Sequence, residues 1–368
     1  YSLDALNIIM PLGLSFHTFQ SMSYTIEVYR GKQQPERRFE ILALYVLFYP
    51  QLVAGPIERP QSLLRQLREH HNFDYDQIVS GLKLMAWGFF QKMVIADAIA
   101  TITGPVFAAP DAYHGLSLSI ATVLFSVQIF CDFAGYSDIA IGSAQVIGFR
   151  LSTNFRQPFL ATSVAVFWSR WHISLSSWFR DYLYMPACRK WDRPMQRNLA
   201  SIGIFALIGL WHGASWTFII WGVFNGSVMV MSKLTRSFRK GLATRTGLTR
   251  RPRLHTLVQI VLTFFAVNIP GVFFPAATLQ NAMYVLANMV PRDPWAELMA
   301  LGSLLQLLTI AVLLVSLMAV QVSRERGRLR DFISLQPVWV RWPVYAAGLI
   351  SIVLLKQSTS PEFVYFQF

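Results

Sequence analysis

Hydrophobic positions gather into long runs separated by short polar stretches that are mostly basic. Apolar segments lie near residues 4–26, 39–57, 78–108, 116–148, 199–232, 255–274, 300–322 and 338–355. Runs of this length are what helices need to cross a bilayer, where each segment has to satisfy its own backbone hydrogen bonds. The pattern therefore predicts an all-α, multi-pass membrane protein with one polytopic domain over 1–368. The first segment reads as a membrane helix, not a cleaved leader. The run at 116–148 contains Asp132, Gly135 and Asp138 within "CDFAGYSDIAIG", which predicts a helix, a break and a shorter returning piece enclosed by protein.

The polar stretches set an orientation. Residues 233–253, "KLTRSFRKGLATRTGLTRRPR", carry eight Lys or Arg and no acid, which marks a cytoplasmic loop. The stretch 274–298 is nearly neutral, and "RERGRLR" at 324–330 falls one span further on, giving an in, out, in order. "CRKWDRPMQR" at 188–197 then also faces inward. The Gly/Thr/Arg-rich part at 241–253 reads as a flexible linker. Between two cytoplasmic ends, residues 198–232 must go out and return on legs shorter than the roughly 20 residues of a full span. His212 then sits roughly 21 Å deep, at 1.5 Å per residue.

Composition agrees with a bilayer as solvent: 54% of the 368 residues are hydrophobic and 14% are charged. The net charge of +13 resides in the stretches flanking the apolar runs, so it reads first as a topology signal, second as a ligand signal, and not as a nucleic-acid surface. Cys131 and Cys188 read as a small buried side chain and a free thiol. No His-x-x-x-His or Cys-x-x-Cys spacing predicts a metal, and the adjacent histidines of "REHHNFDYD" read as a solvated loop. There is neither a Gly-x-Ser-x-Gly elbow nor a phosphate loop.

Candidate chemistry concentrates in residues 150–232. In "GLWHGASW", 209–216, His212 is bracketed by Trp211 and Trp216, with Trp221 and Asn225 beyond. Aromatic walls keep an imidazole neutral because burial disfavours its charged form, and a neutral imidazole can take a proton from a hydroxyl. A hydrogen bond between helices is the competing role for a membrane histidine. The second histidine, His172, lies in "VFWSRWHISLSSWFRDYLYMP", 166–186. Read as one helix, this segment aligns Phe167, Trp171, Leu175, Trp178 and Tyr182 on one stripe and Arg170, Ser174, Ser177 and Asp181 on another, with His172 beside Trp168 and Phe179. Such a helix also suits a membrane surface. Its arginines, Arg170 and Arg180, together with Arg156, would suit a phosphorylated donor. Asp132 and Asp138 are expected to pair with Arg or to cap a broken helix.

Six blocks, "FYPQLVAGPIERP" (48–60), "FAGYSDIAIG" (133–142), "NFRQPF" (154–159), "FWSRWHISLSSWFRDYLYMP" (167–186), "GLWHGASWTFIIWG" (209–222) and "FVYFQF" (363–368), resemble the membrane-bound O-acyltransferases. The similarity is to the bacterial branch that acetylates exopolysaccharides such as alginate. It implies a multi-pass ring of helices, some broken or re-entrant and some interfacial, around a central tunnel. It implies that His212 is the catalytic histidine and His172 the second site histidine, with a cytoplasmic acyl donor and an extracytoplasmic acceptor. Two departures stand out: the family carries further helices before the segment that begins here, and "ACRKWDRPMQRN" replaces a glycine-rich turn after "YLYMP".

The expected function is transfer of an acetyl group from acetyl-CoA across a bacterial inner membrane to a polysaccharide hydroxyl, directly or through a periplasmic acetyltransferase partner. No bound cofactor, metal or nucleic acid is expected, and lipids surround the protein. His212 acts as the base, while His172 positions the donor or stabilises developing negative charge. Trp211, Asn225, Trp168, Arg170 and Arg180 line the substrates. The alternatives are D-alanyl transfer toward teichoic acid from a carrier protein, and a transporter or channel with proton-relay histidines.

Overall fold

A computed structural model describes residues 14–52, 54–191, 193–325, 336–356 and 363. The parts of the first apolar run before residue 14, of the "RERGRLR" cluster after residue 325 and of the terminal "FVYFQF" other than Phe363 lie outside the described residues. Among the described residues every regular element is helical. In order these are α1 (Leu14–Tyr29), α2 (Phe39–Val46), α3 (Pro60–Arg68), α4 (Tyr75–Phe89), α5 (Asp97–Ala108), α6 (Leu116–Val146), α7 (Val164–Arg170), α8 (Ile173–Phe179), α9 (Met185–Lys190), α10 (Pro194–His212), α11 (Trp216–Leu234), α12 (Arg236–Arg245), α13 (Pro252–Gly271), α14 (Leu279–Ala287), α15 (Pro294–Met299), α16 (Leu304–Glu325) and α17 (Val338–Leu355). Two wide turns of π-helix join neighbours: Phe90–Ala96 runs α4 into α5, and Arg180–Tyr184 runs α8 into α9.

Six described helices are long and apolar enough to cross a membrane: Tyr75–Ala108, α6, α11, α13, α16 and α17. Their surfaces show what solvates them. Leu305, Val315 and Leu354 are each at least 70% exposed, an arrangement that water would penalise and lipid does not. The protein is a multi-pass membrane protein. The 39–57 run does not supply a span: α2 ends at Val46, a 3-10 turn follows at Tyr49–Gln51, and Gly55–Arg59 is not helical.

The helices divide into two compact units, residues 1–88 with 136–153 and residues 89–135 with 154–368. In the first, α2 and α3 close over a core of Ile41, Tyr45, Phe48, Leu63, Leu64 and Ala144. Gly81 and Gly142 let their helices touch backbone to backbone, since a Cβ on either would fall 2.5 Å from the other's carbonyl oxygen. Glu58 is buried here and accepts a hydrogen bond from the Ser152 amide.

In the second unit, α10 and α11 form an antiparallel hairpin. Gly209 approaches the carbonyl of Phe218, and Gly222 that of Phe205, the close packing that small residues permit in a membrane. Pro194 opens α10, and Ser215 caps α11 through the Thr217 amide at 3.4 Å. Both legs have 19 residues, longer than the loop charges predict, because Arg197 lies one turn inside α10. His212 is therefore about 27 Å from the start of its helix at 1.5 Å per residue.

The predicted break in 116–148 is absent: α6 is one helix of 31 residues. Asp132 does not interrupt it, because Lys92 from the π segment reaches Asp132 at 2.9 Å and Asp97 at 2.8 Å, forming a buried ionic cluster. Asp132 is thus paired with Lys92. The 241–253 stretch is not a linker, since α12 continues to Arg245, a 3-10 turn follows at Leu248–Arg250 and α13 starts at Pro252.

Candidate functional site

The break that α6 lacks occurs instead at Trp171–His172, where neither Gly nor Pro signals it. His172 takes a left-handed conformation, φ 41° and ψ 56°, and so separates α7 from α8. That conformation costs a non-glycine residue about 1–2 kcal/mol and needs surrounding contacts to hold it. Here the chain at 154–157 supplies them. Ile173 N–H donates to the Asn154 carbonyl at 2.9 Å, Arg156 N–H donates to the Arg170 carbonyl at 2.9 Å, and an Arg170 guanidinium N–H reaches the Gln157 carbonyl at 3.3 Å. The Asn154 side chain, fully buried, accepts from the Ser174 amide at 3.2 Å and the Ser174 hydroxyl at 3.0 Å, and lies 3.1 Å from His172 Nδ1.

The segment 166–186 is therefore not one surface helix. His172, Leu175, Trp178 and Phe179 are all buried, and the turn interrupts the continuous helix on which the two stripes were drawn. Its ring meets Phe133 edge-on at 4.6 Å, with Phe155 at 6.4 Å and Trp211 at 6.3 Å.

His212, at the last turn of α10, is 8% exposed. It packs edge-to-face against Trp221 at 5.2 Å, Phe274 at 5.1 Å and Trp211 at 4.9 Å. Trp211 touches both imidazoles, so the two histidines share one aromatic partition.

Two cavities share His212 in their walls, and Trp211 lines neither of them. The larger, about 1790 Å³, is lined by α7, α8 and α10–α13 and includes both His172 and His212. Arg180, Lys233, Arg236, Arg239 and Lys240 also line it, and no acidic side chain is among its described lining residues. The smaller, about 60 Å³, is walled by Phe125, Ile129, Val267, Phe274 and other apolar groups, together with Asn225 and Asn268. Trp168, Trp171, His212 and Trp221 belong to both. Along α11, Lys233 stands about 18 Å from Trp221 at 1.5 Å per residue, so the cationic end of the large cavity is well separated from the partition.

The polar groups predicted for the site are placed unequally. Asn225 donates to the Trp221 carbonyl at 2.9 Å, which leaves its Oδ1 buried without a hydrogen-bond partner, and Trp168 Nε1 is in the same state. Buried orphans of this kind call for an explanation, and both residues line the small cavity beside His212. Arg180 faces the large cavity, though it is also paired with Asp181 at 2.8 Å. Arg170 is held in an ion pair with Glu325 at 2.8 Å. Neither Arg170 nor Arg156 lines the cavities. The basic residues of α12 stand at the large cavity although the sequence offered them first as a topology marker and only second as a ligand signal, and Asn154 was marked only as the first residue of the "NFRQPF" block, with no role attached. No group of three or more potential metal ligands occurs among the described residues. His71 lies against Phe149 and near the Gln66 carbonyl at 2.8 Å.

The sequence model of the membrane-bound O-acyltransferase family matches residues 40–278. A protein named "probable alginate O-acetylase" from Azotobacter vinelandii is 35% identical over 316 residues, 86% of this chain and 61% of its own length. A peptidoglycan O-acetyltransferase from Helicobacter pylori is 33% identical, covering 78% of this chain and 58% of that protein. A teichoic acid D-alanyltransferase from Bacillus subtilis is 29% identical, over 70% and 67%. The chain spans between 53% and 61% of the length of the alginate relatives.

Proposed function

Because the chain belongs to the membrane-bound O-acyltransferase family, we propose that it transfers an acetyl group from acetyl-CoA to a polysaccharide hydroxyl on the opposite side of a bacterial inner membrane, directly or by way of a periplasmic acetyltransferase. One observation carries this reading: His212 stands in the wall common to a large cationic cavity and a small apolar one. The basic end, formed by Arg236, Arg239, Lys240 and Arg180, attracts the donor's phosphates from the cytoplasm. The thioester arm extends from there toward the partition, where water is scarce and a fixed dipole acts strongly.

In the step itself, His212 takes the proton of the acceptor hydroxyl as its oxygen bonds to the thioester carbonyl carbon. The carbon–sulfur bond then breaks, and the departing thiolate receives the proton back from the imidazolium. The Trp168 indole N–H is free to donate to the carbonyl oxygen as negative charge develops on it, and the Asn225 Oδ1 is free to accept the hydroxyl of the incoming sugar.

The test uses the purified full-length protein with radiolabelled acetyl-CoA and an acceptor glycan. Label in the glycan that vanishes in His212→Ala, with folding retained, is the expected result. Undiminished transfer by that variant overturns the base role, and transmembrane flux of a solute without covalent transfer points to a transporter. The likeness to a D-alanyltransferase makes carrier-bound D-alanine the second donor to assay, and preference for it over acetyl-CoA reassigns the substrate while keeping the site.

A further inference from the structure

We propose that Asn154 is a positioning residue that locks the tautomer of His172, so that His172 Nε2 accepts a hydrogen bond from an N–H of the acyl donor. The proposal rests on the acyl-transfer reading above and adds the part played by the second histidine.

Ser174 fixes the orientation of the Asn154 amide. Its backbone N–H can only donate, so the Asn154 atom it meets at 3.2 Å is the amide oxygen. The Ser174 hydroxyl lies 3.0 Å from the same oxygen, and His172 Nδ1 3.1 Å from it. An amide oxygen bears no hydrogen, so Nδ1 must supply the proton of that contact. In the neutral imidazole, the lone pair then belongs to Nε2. Turning the ring over would place carbon against the amide oxygen and forfeit the bond. The edge-on contact with Phe133 at 4.6 Å and the backbone bond from Ile173 to Asn154 hold ring and turn in place.

A neutral histidine fixed in this way donates only to Asn154 and accepts at Nε2, so Nε2 is unsuited to stabilising an oxyanion. That task falls to a donor such as Trp168 Nε1. His172 lines the large cavity, where the other charged groups named above are all cations and hydrogen-bond donors. A fixed acceptor close to the partition selects a donor molecule that brings an N–H of its own. Thioesters of CoA have one, an amide two carbons from the sulfur, and carrier-bound thioesters share it. The site therefore reads the arm of the donor as well as its phosphates.

The experiment compares two small acetyl thioesters on the full-length protein, S-acetyl-N-acetylcysteamine and an alkyl thioester of equal length without the amide. Wild type is expected to favour the amide-bearing compound about tenfold in kcat/KM, as one neutral hydrogen bond allows. Asn154→Leu is expected to bring that ratio toward one through the KM of the amide compound. Histidine ¹⁵N spectra of the wild type, with His172 identified by the signal lost in His172→Gln, are expected to show a protonated Nδ1 and a bare Nε2, and this measurement needs no stable variant at Asn154. A protonated Nε2 overturns the proposal. So does an unchanged ratio with an equal fall in kcat for both thioesters, which would make Nε2 the acceptor of the hydroxyl proton instead. Absence of transfer from either compound by wild type sinks the acyl-transfer reading and this role with it, whereas an unchanged ratio in a variant that still transfers sinks this role alone.

Discussion

Replacing Gly209 by alanine tests whether the α10–α11 hairpin sets the geometry of the site. A methyl group there would lie 2.2 Å from the Phe218 carbonyl oxygen and 2.9 Å from its carbon. Real contacts of this kind essentially never fall under 3.0 Å, so one helix has to retreat by about 1 Å, and overpacking of this sort costs about 1–3 kcal/mol. The obstacle is backbone, so no side chain can swing aside. His212 is three residues further along α10, while Trp221 and Asn225 ride on α11 and would separate from it. Misplacement by about 1 Å at a reacting centre lowers rates about 100-fold. Gly203 provides the control: it sits on the same helix, a methyl group there would meet nothing within 4 Å, and alanine gains up to about 1 kcal/mol of helix propensity. Acetyl transfer and thermal denaturation in the same detergent are the assays. Gly209→Ala should lose both rate and stability while Gly203→Ala keeps both. Equal behaviour of the two variants would refute the claim that close backbone contact at Gly209 positions His212.

Three further perturbations probe other parts of the molecule. Lys92→Met leaves Asp97 and Asp132 buried without their shared cation and should cost about 3–5 kcal/mol, much of it regained when both aspartates also become Asn; an unaltered unfolding midpoint would count against the cluster. Glu297 accepts from the amides of Leu116 at 2.7 Å, Arg292 at 3.0 Å and Asp293 at 3.3 Å, the first of which does most to hold its carboxyl below the ordinary 4.5. Its stabilising effect is therefore complete above the unfolded value and is lost as pH falls through the lowered one, so Glu297→Gln should flatten the acid limb of a stability profile. Joint replacement of Arg236, Arg239 and Lys240 by Ala should raise the KM for acetyl-CoA at least about tenfold and weaken its dependence on salt while sparing kcat; an unchanged KM would place the donor elsewhere.

The pattern of apolar runs made the helical, multi-pass architecture legible, because it records which solvent each segment meets. It misjudged elements whose behaviour depends on partners distant in the chain. Asp132 and Gly135 look like breakers on their own, yet Lys92, forty residues earlier, neutralises the carboxylate and leaves α6 unbroken. Conversely, nothing local marks the turn at His172, a residue with a Cβ and no preference for positive φ. The turn is fixed by Asn154 and by backbone bonds from a segment about 18 residues away. Both histidines were identifiable from the aromatic residues around them in sequence, but their shared wall is not, since Trp211 brings them together across the fold. The basic run at 233–253 was legible as charge and not as shape: only when α12 folds against the large cavity do Arg236, Arg239 and Lys240 become part of a chamber.

The same distinction explains why the site could be built here at all. A bilayer-facing helix tolerates apolar substitution widely, whereas a reaction between a charged, water-soluble donor and a hydroxyl requires polar groups held where hydration cannot compete. The second unit solves this by separating the two requirements along α11. Its Lys233 end carries the charge, solvated and suited to capture, and its Trp221–Asn225 turn carries uncharged aromatic and amide groups suited to orientation. Moving a cation to the inner end would attract the donor's phosphates past the productive position, and removing the aromatic wall would admit water to the thioester. The glycines at 209 and 222 matter for the same reason, since they bring α10 close enough for His212 to join the inner end of α11. Donor capture and acyl transfer should then respond to different mutations, with KM following the α12 cations and kcat following the hairpin contacts, and a variant at either end that moved both parameters equally would show that the two regions are not separable.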